Sequence, residues 1–349
     1  MKKALAFFTV IFISLFFTGC DLLNGFQNDS NVTIDEYIKN TVTEDIDVAE
    51  PANVPDAANR AEWAGFRSSP YGFGDSPSDF PSVGSWRSYV DKMISFYNKN
   101  KTDASNGTLV WLVGVVTDDP TIPVISCWLN FPKPAGVKIP DGLAFSNTDE
   151  NEKYFNEFDK KGYSVWLQVE SGFVDIVDLS KIVMNQYKNH KCVKGFGIDV
   201  EWYKNVTDGK PGTPLDDTTA SNVDAAVKKI RPEYSVFVKH WRTDYLPETY
   251  RGVNNDMIFV TDSQGLRNMD YLKKTYRRWA ESYAPNPVFF QTGYENDTGI
   301  WGELEKPLRD LGKEILDGML ESEVEAVKTQ KKGIIWVDFT LKDAYAQSK

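Results

Sequence analysis

The chain has 349 residues, a formal net charge of −11 and a pI near 4.9, so it lacks the basic balance that nucleic-acid binding requires. Two histidines and three cysteines leave little material for a His-rich metal centre, a zinc site or a histidine-based triad. Ten tryptophans in an acidic chain suit sugar faces, which stack on aromatic rings, and core packing can also consume them.

Lys2 and Lys3 precede an almost unbroken apolar run from Ala4 to Phe17, shorter than the roughly 20 residues that span a bilayer. Residues 1–19 therefore read as a cleaved signal peptide. Thr18-Gly19-Cys20 resembles the lipobox of bacterial lipoproteins, with Phe17 where that pattern prefers Leu. The resemblance implies lipid on Cys20 and a membrane-anchored life outside the cytoplasm. Residues 20–56 are rich in Asp, Asn, Glu and Thr and read as an acidic tether.

Residues 57–349 are expected to form one α/β domain, a (β/α)8 TIM barrel. Apolar runs at Leu109–Val116, Val124–Asn130, Ser164–Val169, Phe196–Glu201, Ser235–Trp241, Met257–Thr261, Pro287–Thr292 and Gly333–Phe339 predict eight strands. Helical patterns at Trp86–Tyr97, Glu150–Lys161, Asp178–His190, Ala220–Ile230, Asp270–Tyr283 and Gly302–Met319 alternate with them, as in parallel βαβ units. Trp111, Trp128 and Trp166 fall inside strands and are expected in the core. His190, at the basic stretch Lys188–Lys191, reads as a solvated helix-end charge. Cys127 and Cys192 either pair or remain buried thiols.

In such barrels the C-terminal strand ends ring the site. Here they carry Gln168, Asp199, Glu201, Trp241, Asp262, Gln291, Tyr294 and Glu295, with Trp336 and Asp338 on the last strand. The centre of the pattern is Lys194-Gly195-Phe196-Gly197-Ile198-Asp199-Val200-Glu201. Strand alternation puts Asp199 and Glu201 on one face, where like charge and partial burial should raise the pKa of Glu201. Lys239, inward on the next strand, is expected to pair with one of them.

Gly195 to Glu201 resembles the strand-four signature of the chitinase-like family 18 glycoside hydrolases, D-G-x-D-x-D-x-E. Asp199 matches its last aspartate and Glu201 its catalytic acid, whereas Lys194 and Gly197 stand where the family has aspartates. Ser171-Gly172, Asp262 and Trp336 fall where the family places a turn, an aspartate and a sugar-flooring tryptophan. The resemblance implies hydrolysis of a β-linked N-acetylhexosamine glycan, with Glu201 as general acid and Asp199 orienting the substrate's acetamido group. Substrate contacts would come from Trp336, Asp262, Gln291, Tyr294, Trp241, Glu295 and Gln168. Glu295 could instead serve as nucleophile opposite Glu201. The expected partners are a carbohydrate polymer or oligosaccharide and the membrane, with no nucleic acid, no cofactor and no metal, for a monomeric chain. A non-catalytic glycan-binding lipoprotein is the alternative, and Lys194 and Gly197 favour it.

Overall fold

The computed structural model of the protein describes residues 60–73, 79–97, 105–117 and 126–349. The signal peptide, Cys20 and the tether lie outside the described residues. In chain order the strands are β1 (Trp63–Ser68), β2 (Asn106–Val116), β3 (Cys127–Leu129), β4 (Leu143–Phe145), β5 (Ser164–Val169), β6 (Val193–Asp199), β7 (Ser235–Lys239), β8 (Ile258–Asp262), β9 (Val288–Thr292) and β10 (Lys332–Val337). The helices are α1 (Val83–Tyr97), α2 (Glu152–Lys161), α3 (Ile176–Tyr187), α4 (Asp217–Ile230), α5 (Met269–Tyr283), α6 (Thr298–Trp301), α7 (Pro307–Met319), α8 (Glu325–Thr329) and α9 (Leu341–Gln347).

Eight of these strands close a parallel ring in the order β1-β2-β5-β6-β7-β8-β9-β10, and β1 pairs with both β2 and β10. This is a (β/α)8 barrel. One expected member is wrong. The segment around Val124–Asn130 supplies only β3, which runs antiparallel to β2 outside the ring; Val124 and Ile125 lie outside the described residues. Trp128 is consequently 38% exposed instead of core, while Trp111 and Trp166 are buried as expected. The strand that closes the ring is β1, whose inward side carries Trp63, Gly65 and Arg67. One large apolar residue in three gives almost no alternation signal. Because one strand was gained and one lost, β5 and β6 are still the third and fourth strands of the ring.

Helix boundaries follow local chemistry. The side chains of Asp175, Asp216 and Asn268 accept the backbone N–H three residues on and start α3, α4 and α5. The expected helix from Gly302 begins only at Pro307, whose fixed φ and missing N–H suit a first turn. His190 is not a solvated charge. It is buried between Asp159 (Nδ1 to Oδ2, 2.9 Å) and Glu152 (Nε2 to Oε2, 3.1 Å) of α2, tying that helix to the start of β6. Cys127 and Cys192 are free, buried thiols.

The apolar interior has two parts. One lies between the ring and its helices, and the other fills the ring with Val110, Trp166, Phe237, Ile258, Val260, Phe289 and Ile335. Trp63 plugs this second part, edge-on to Trp166 (5.8 Å) and Phe289 (5.4 Å). Gly197 belongs here. A Cβ at this position would lie 2.0 Å from the Phe237 ring, so the place of the family's middle aspartate is already filled by an aromatic side chain.

Introducing an aspartate here as Gly197→Asp should therefore destabilise the barrel by at least about 3 kcal/mol, combining overpacking with a buried unpaired charge. Urea unfolding midpoints compare the two proteins; an equally stable variant contradicts the packing described here.

Candidate active site at the barrel mouth

Continuing each inward face by one step of alternation carries the ring interior from apolar to charged. Trp166 is followed by Gln168, Gly197 by Asp199, Phe237 by Lys239, Val260 by Asp262 and Phe289 by Gln291. All five polar residues are buried. They form a layer on top of the aromatic plug, at the C-terminal ends of the strands.

Lys239 is the hub of this layer. Its Nζ lies 3.2 Å from Glu201 Oε2, 3.3 Å from Asp262 Oδ2 and 3.4 Å from Asp199 Oδ2. Gln168 Nε2 donates to Asp199 Oδ2 at 3.1 Å. Asp199 ends β6, and Glu201 sits in the 3-10 turn that follows. Glu201 is thus turned inward by its attraction to Lys239, since the strand alternation has already stopped. Of the three acids it alone keeps an accessible side chain, 23% exposed.

A second ion pair adjoins the first. Arg67 Nη2 approaches Glu170 Oε1 at 3.6 Å. Glu170 Oε2 accepts from the Tyr71 hydroxyl at 3.1 Å and from the Val116 N–H at 3.3 Å. Asp338, after β10, accepts from the Ser69 N–H and hydroxyl. Among the expected contacts, Gln291 Oε1 accepts from the buried Tyr294 hydroxyl at 3.2 Å, while its Nε2 has no partner. Asp199 Oδ1 and Gln168 Oε1 are likewise buried without a hydrogen bond.

The charges do not settle evenly. Burial pushes Asp199 up to about 6, helped by the Glu201 and Asp262 charges and opposed by Lys239. Burial pushes Glu170 up to about 7 against the pull of Arg67. Asp262 is also raised, by burial and then by Glu201. Burial would raise Glu201 as well, but the Lys239 ammonium, by its charge and by the hydrogen bond it donates, brings it below the usual carboxylate range, with a smaller contribution from Arg67. The expectation of a raised Glu201 is thus reversed in the free protein, where Lys239 supplies Glu201 with a hydrogen bond as well as its charge. His240 is fully buried and pushed down to about 4 by burial. Its Nε2–H donates to the Pro211 carbonyl and its Nδ1 accepts from the Arg242 N–H, which fixes one neutral tautomer.

The structure brings together Asp199, Glu201, Asp262 and Gln168, with Gln291 and Tyr294 beside them. Trp241 stands half-buried past the end of β7, its ring stacked on His240. Glu295 is exposed in the turn after β9 and shares no hydrogen bond or ion pair with Glu201 among the described residues. Trp336 is not in the cluster. Ile335 is the residue of β10 that faces the ring interior, so Trp336 points outward, 1% exposed, against Gly293 and Trp301. Arg67 and Glu170 are the important omissions. Glu170 lies one alternation step beyond Gln168 and was legible as such, whereas Arg67 required β1 to be read as a strand.

No protein-family model matches the chain, and no curated protein or solved structure matches it either. Fold and site define a (β/α)8-barrel protein with a buried cluster of carboxylates and two cations at its C-terminal mouth.

The raised acids set a pH dependence of stability. Asp199 and Asp338 are pushed up to about 6, and Glu170 and Asp297 up to about 7, chiefly by burial. Their unfolded values lie near 4, so their stabilising contribution is complete in acid and is lost as pH rises through 6 to 7. His240, depressed to about 4, opposes this below its ordinary value near 6.5, but it is one group against four. The melting temperature should be higher at pH 5 than at pH 8 by about 5 °C or more. Thermal melts across this range check it, and a melting temperature rising with pH contradicts it.

Proposed function

We propose that the protein is a lipid-anchored, extracytoplasmic glycoside hydrolase of chitinase-like type acting on a β-linked N-acetylhexosamine-containing glycan. One observation carries this reading: a buried carboxyl raised to about 6, Asp199, and a solvent-facing carboxylate, Glu201, share a single ammonium at a barrel mouth. Such a pair holds and releases protons as a unit near neutral pH.

Glu201 is the member that a substrate can reach. In the free protein water and Lys239 keep it ionised. A sugar covering its exposed edge removes that water, which raises its pKa, and the proton held by the pair then resides on Glu201. Glu201 gives this proton to the glycosidic oxygen as the bond to the anomeric carbon breaks. The substrate's acetamido oxygen forms the new bond to that carbon, and Asp199 orients the acetamido group. Water then opens the cyclic intermediate, and Glu201 takes the water's proton, restoring the starting state. Gln168 and Lys239 hold Asp199 in place, and the aspartate that would help it cycle between protonation environments in the resembled family is replaced by Gly197.

A non-catalytic glycan-binding lipoprotein is the second reading. It is favoured by the ionised state of Glu201 in the free protein and by the aromatic ring that fills the space beside Gly197.

Glu201→Gln preserves shape and deletes the proton donor. Turnover on a panel of β-linked N-acetylhexosamine and other glycans should fall by at least 10²–10⁴-fold, with binding retained. Unchanged hydrolysis refutes Glu201 as the acid. Binding by the wild type without hydrolysis anywhere in the panel selects the second reading.

Lipid attachment at Cys20 is tested separately, by mass spectrometry of the protein from its native membrane. A mature chain beginning at a lipid-modified Cys20 is expected, and an intact Met1 or unmodified Cys20 refutes the anchor.

A further inference from the structure

Three unlike metal-ligating side chains converge at the base of the barrel, the end opposite the mouth. Asp159 comes from the last turns of α2, and His190 and Cys192 from the segment that leads from α3 into β6. Asp159 and His190 are 31 residues apart, so no short spacing motif in the sequence joins them. One ligand atom from each (a carboxylate oxygen, a ring nitrogen and the thiol sulfur) lies within 4.8 Å of the other two. His190 and Cys192 are each more than nine-tenths buried, while the Asp159 side chain is 25% exposed. The cluster is therefore open to solvent along its Asp159 edge.

The hydrogen bonding around His190 is a second, independent observation. Nδ1 lies 2.9 Å from Asp159 Oδ2, and Nε2 lies 3.1 Å from Glu152 Oε2. A neutral imidazole has one N–H, so it donates to one of these carboxylates and turns a lone pair toward the other. A lone pair held against a carboxylate oxygen is repulsive, and a cation between the two removes the conflict. A second proton on the ring would do the same, but it gives the Cys192 thiol at this corner no part. With a cation at Nδ1, Glu152 takes the Nε2–H and fixes the tautomer, as carboxylates commonly do behind metal-bound histidines. Asp159 is prepared in the same way. Its Oδ1 accepts the Cys192 backbone N–H at 2.6 Å, which leaves Oδ2 as the atom turned to His190. Cys192 Sγ makes a long contact, 3.7 Å, with the Phe155 carbonyl.

The donor set indicates the ion. A thiolate, an imidazole and a carboxylate suit zinc, whereas calcium and magnesium take oxygen ligands. The two anionic ligands balance a divalent charge. Tetrahedral zinc, with bonds of about 2.0–2.3 Å, needs donors about 3.3–3.6 Å apart, which small side-chain rotations reach from the spacing found here. Three protein ligands leave a fourth place for water at the exposed Asp159 edge.

We propose that Asp159, His190 and Cys192 bind a zinc-class divalent ion at the base of the barrel, with Glu152 as the positioning residue behind His190. On binding, the Cys192 sulfur gives its proton to solvent and bonds to the metal. The ion clips α2 to the start of β6. Its role is structural, since it lies at the end of the barrel away from the site. The inference is independent of the glycan reading.

The test uses the reduced full chain, dialysed free of metal, with Zn²⁺ and Co²⁺ as probes. One zinc per chain should bind with a Kd of about 1 µM or tighter. Free zinc at about a hundred times Kd should raise the melting temperature by about 5 °C. Cobalt should give a thiolate-to-metal charge-transfer band, which carboxylates alone do not produce. Cys192→Ser should abolish that band, and Cys127→Ser, at the other buried thiol, should leave it. Glu152→Gln changes a side chain 54% exposed, so it probes the site even if Cys192→Ser fails to fold. It should weaken zinc by at least about tenfold. Failure to bind zinc, a cobalt band that survives Cys192→Ser, or an unchanged zinc affinity in Glu152→Gln each overturns the proposal and leaves His190 as an imidazolium between two carboxylates.

Discussion

One ammonium group governs this molecule's chemistry. Lys239 Nζ stands within 3.2–3.4 Å of carboxylates from two strands and a turn, inside a ring whose lower half is aromatic and aliphatic. Without it, three acids would face one another where water cannot screen them, and burial with repulsion would drive them neutral. Its position is also selective. By donating a hydrogen bond to Glu201 it holds that residue below the usual carboxylate range, while burial raises Asp199. The cluster therefore has two distinct carboxyl environments on one side of the barrel, made by a single point charge.

The position of that charge depends on how the ring is filled. The step from Phe237 to Lys239 is one alternation along β7, as is the step from Gly197 to Asp199 on the neighbouring strand. The Phe237 ring lies over Gly197, so the apolar plug reaches to the level just beneath the acids and excludes a further polar group there. Asp199 consequently has no carboxylate neighbour below it and takes Gln168 and Lys239 beside it.

Arg67 and Glu170 extend the cluster to the opposite side of the mouth. Their ion pair joins the first and third strands of the ring, and the Tyr71 hydroxyl closes over it from a loop whose aromatic ring is half exposed. The mouth therefore combines a deeply buried electrostatic layer with one half-exposed tyrosine ring hydrogen-bonded to Glu170.

The sequence by itself determined the barrel, the position of the site at its C-terminal end and the central pair Asp199 and Glu201 with Lys239 nearby. Each of these is a local signal: a period-two run followed by a helix, or a polar residue one alternation beyond an apolar one. Only the tertiary structure decided that Trp63–Ser68 closes the ring, that Arg67 and Glu170 join the site, that Trp336 faces outward and that His190 bridges to α2. It also decided the charge on Glu201, where local reading pointed the other way. The reason is range. Face and period are carried by neighbours two to four residues apart, whereas ring closure and the sign of a pKa shift depend on groups brought together from strands far apart in the chain. Lys239 lies 38 residues beyond the Glu201 it controls, and Arg67 lies 103 residues before the Glu170 it meets.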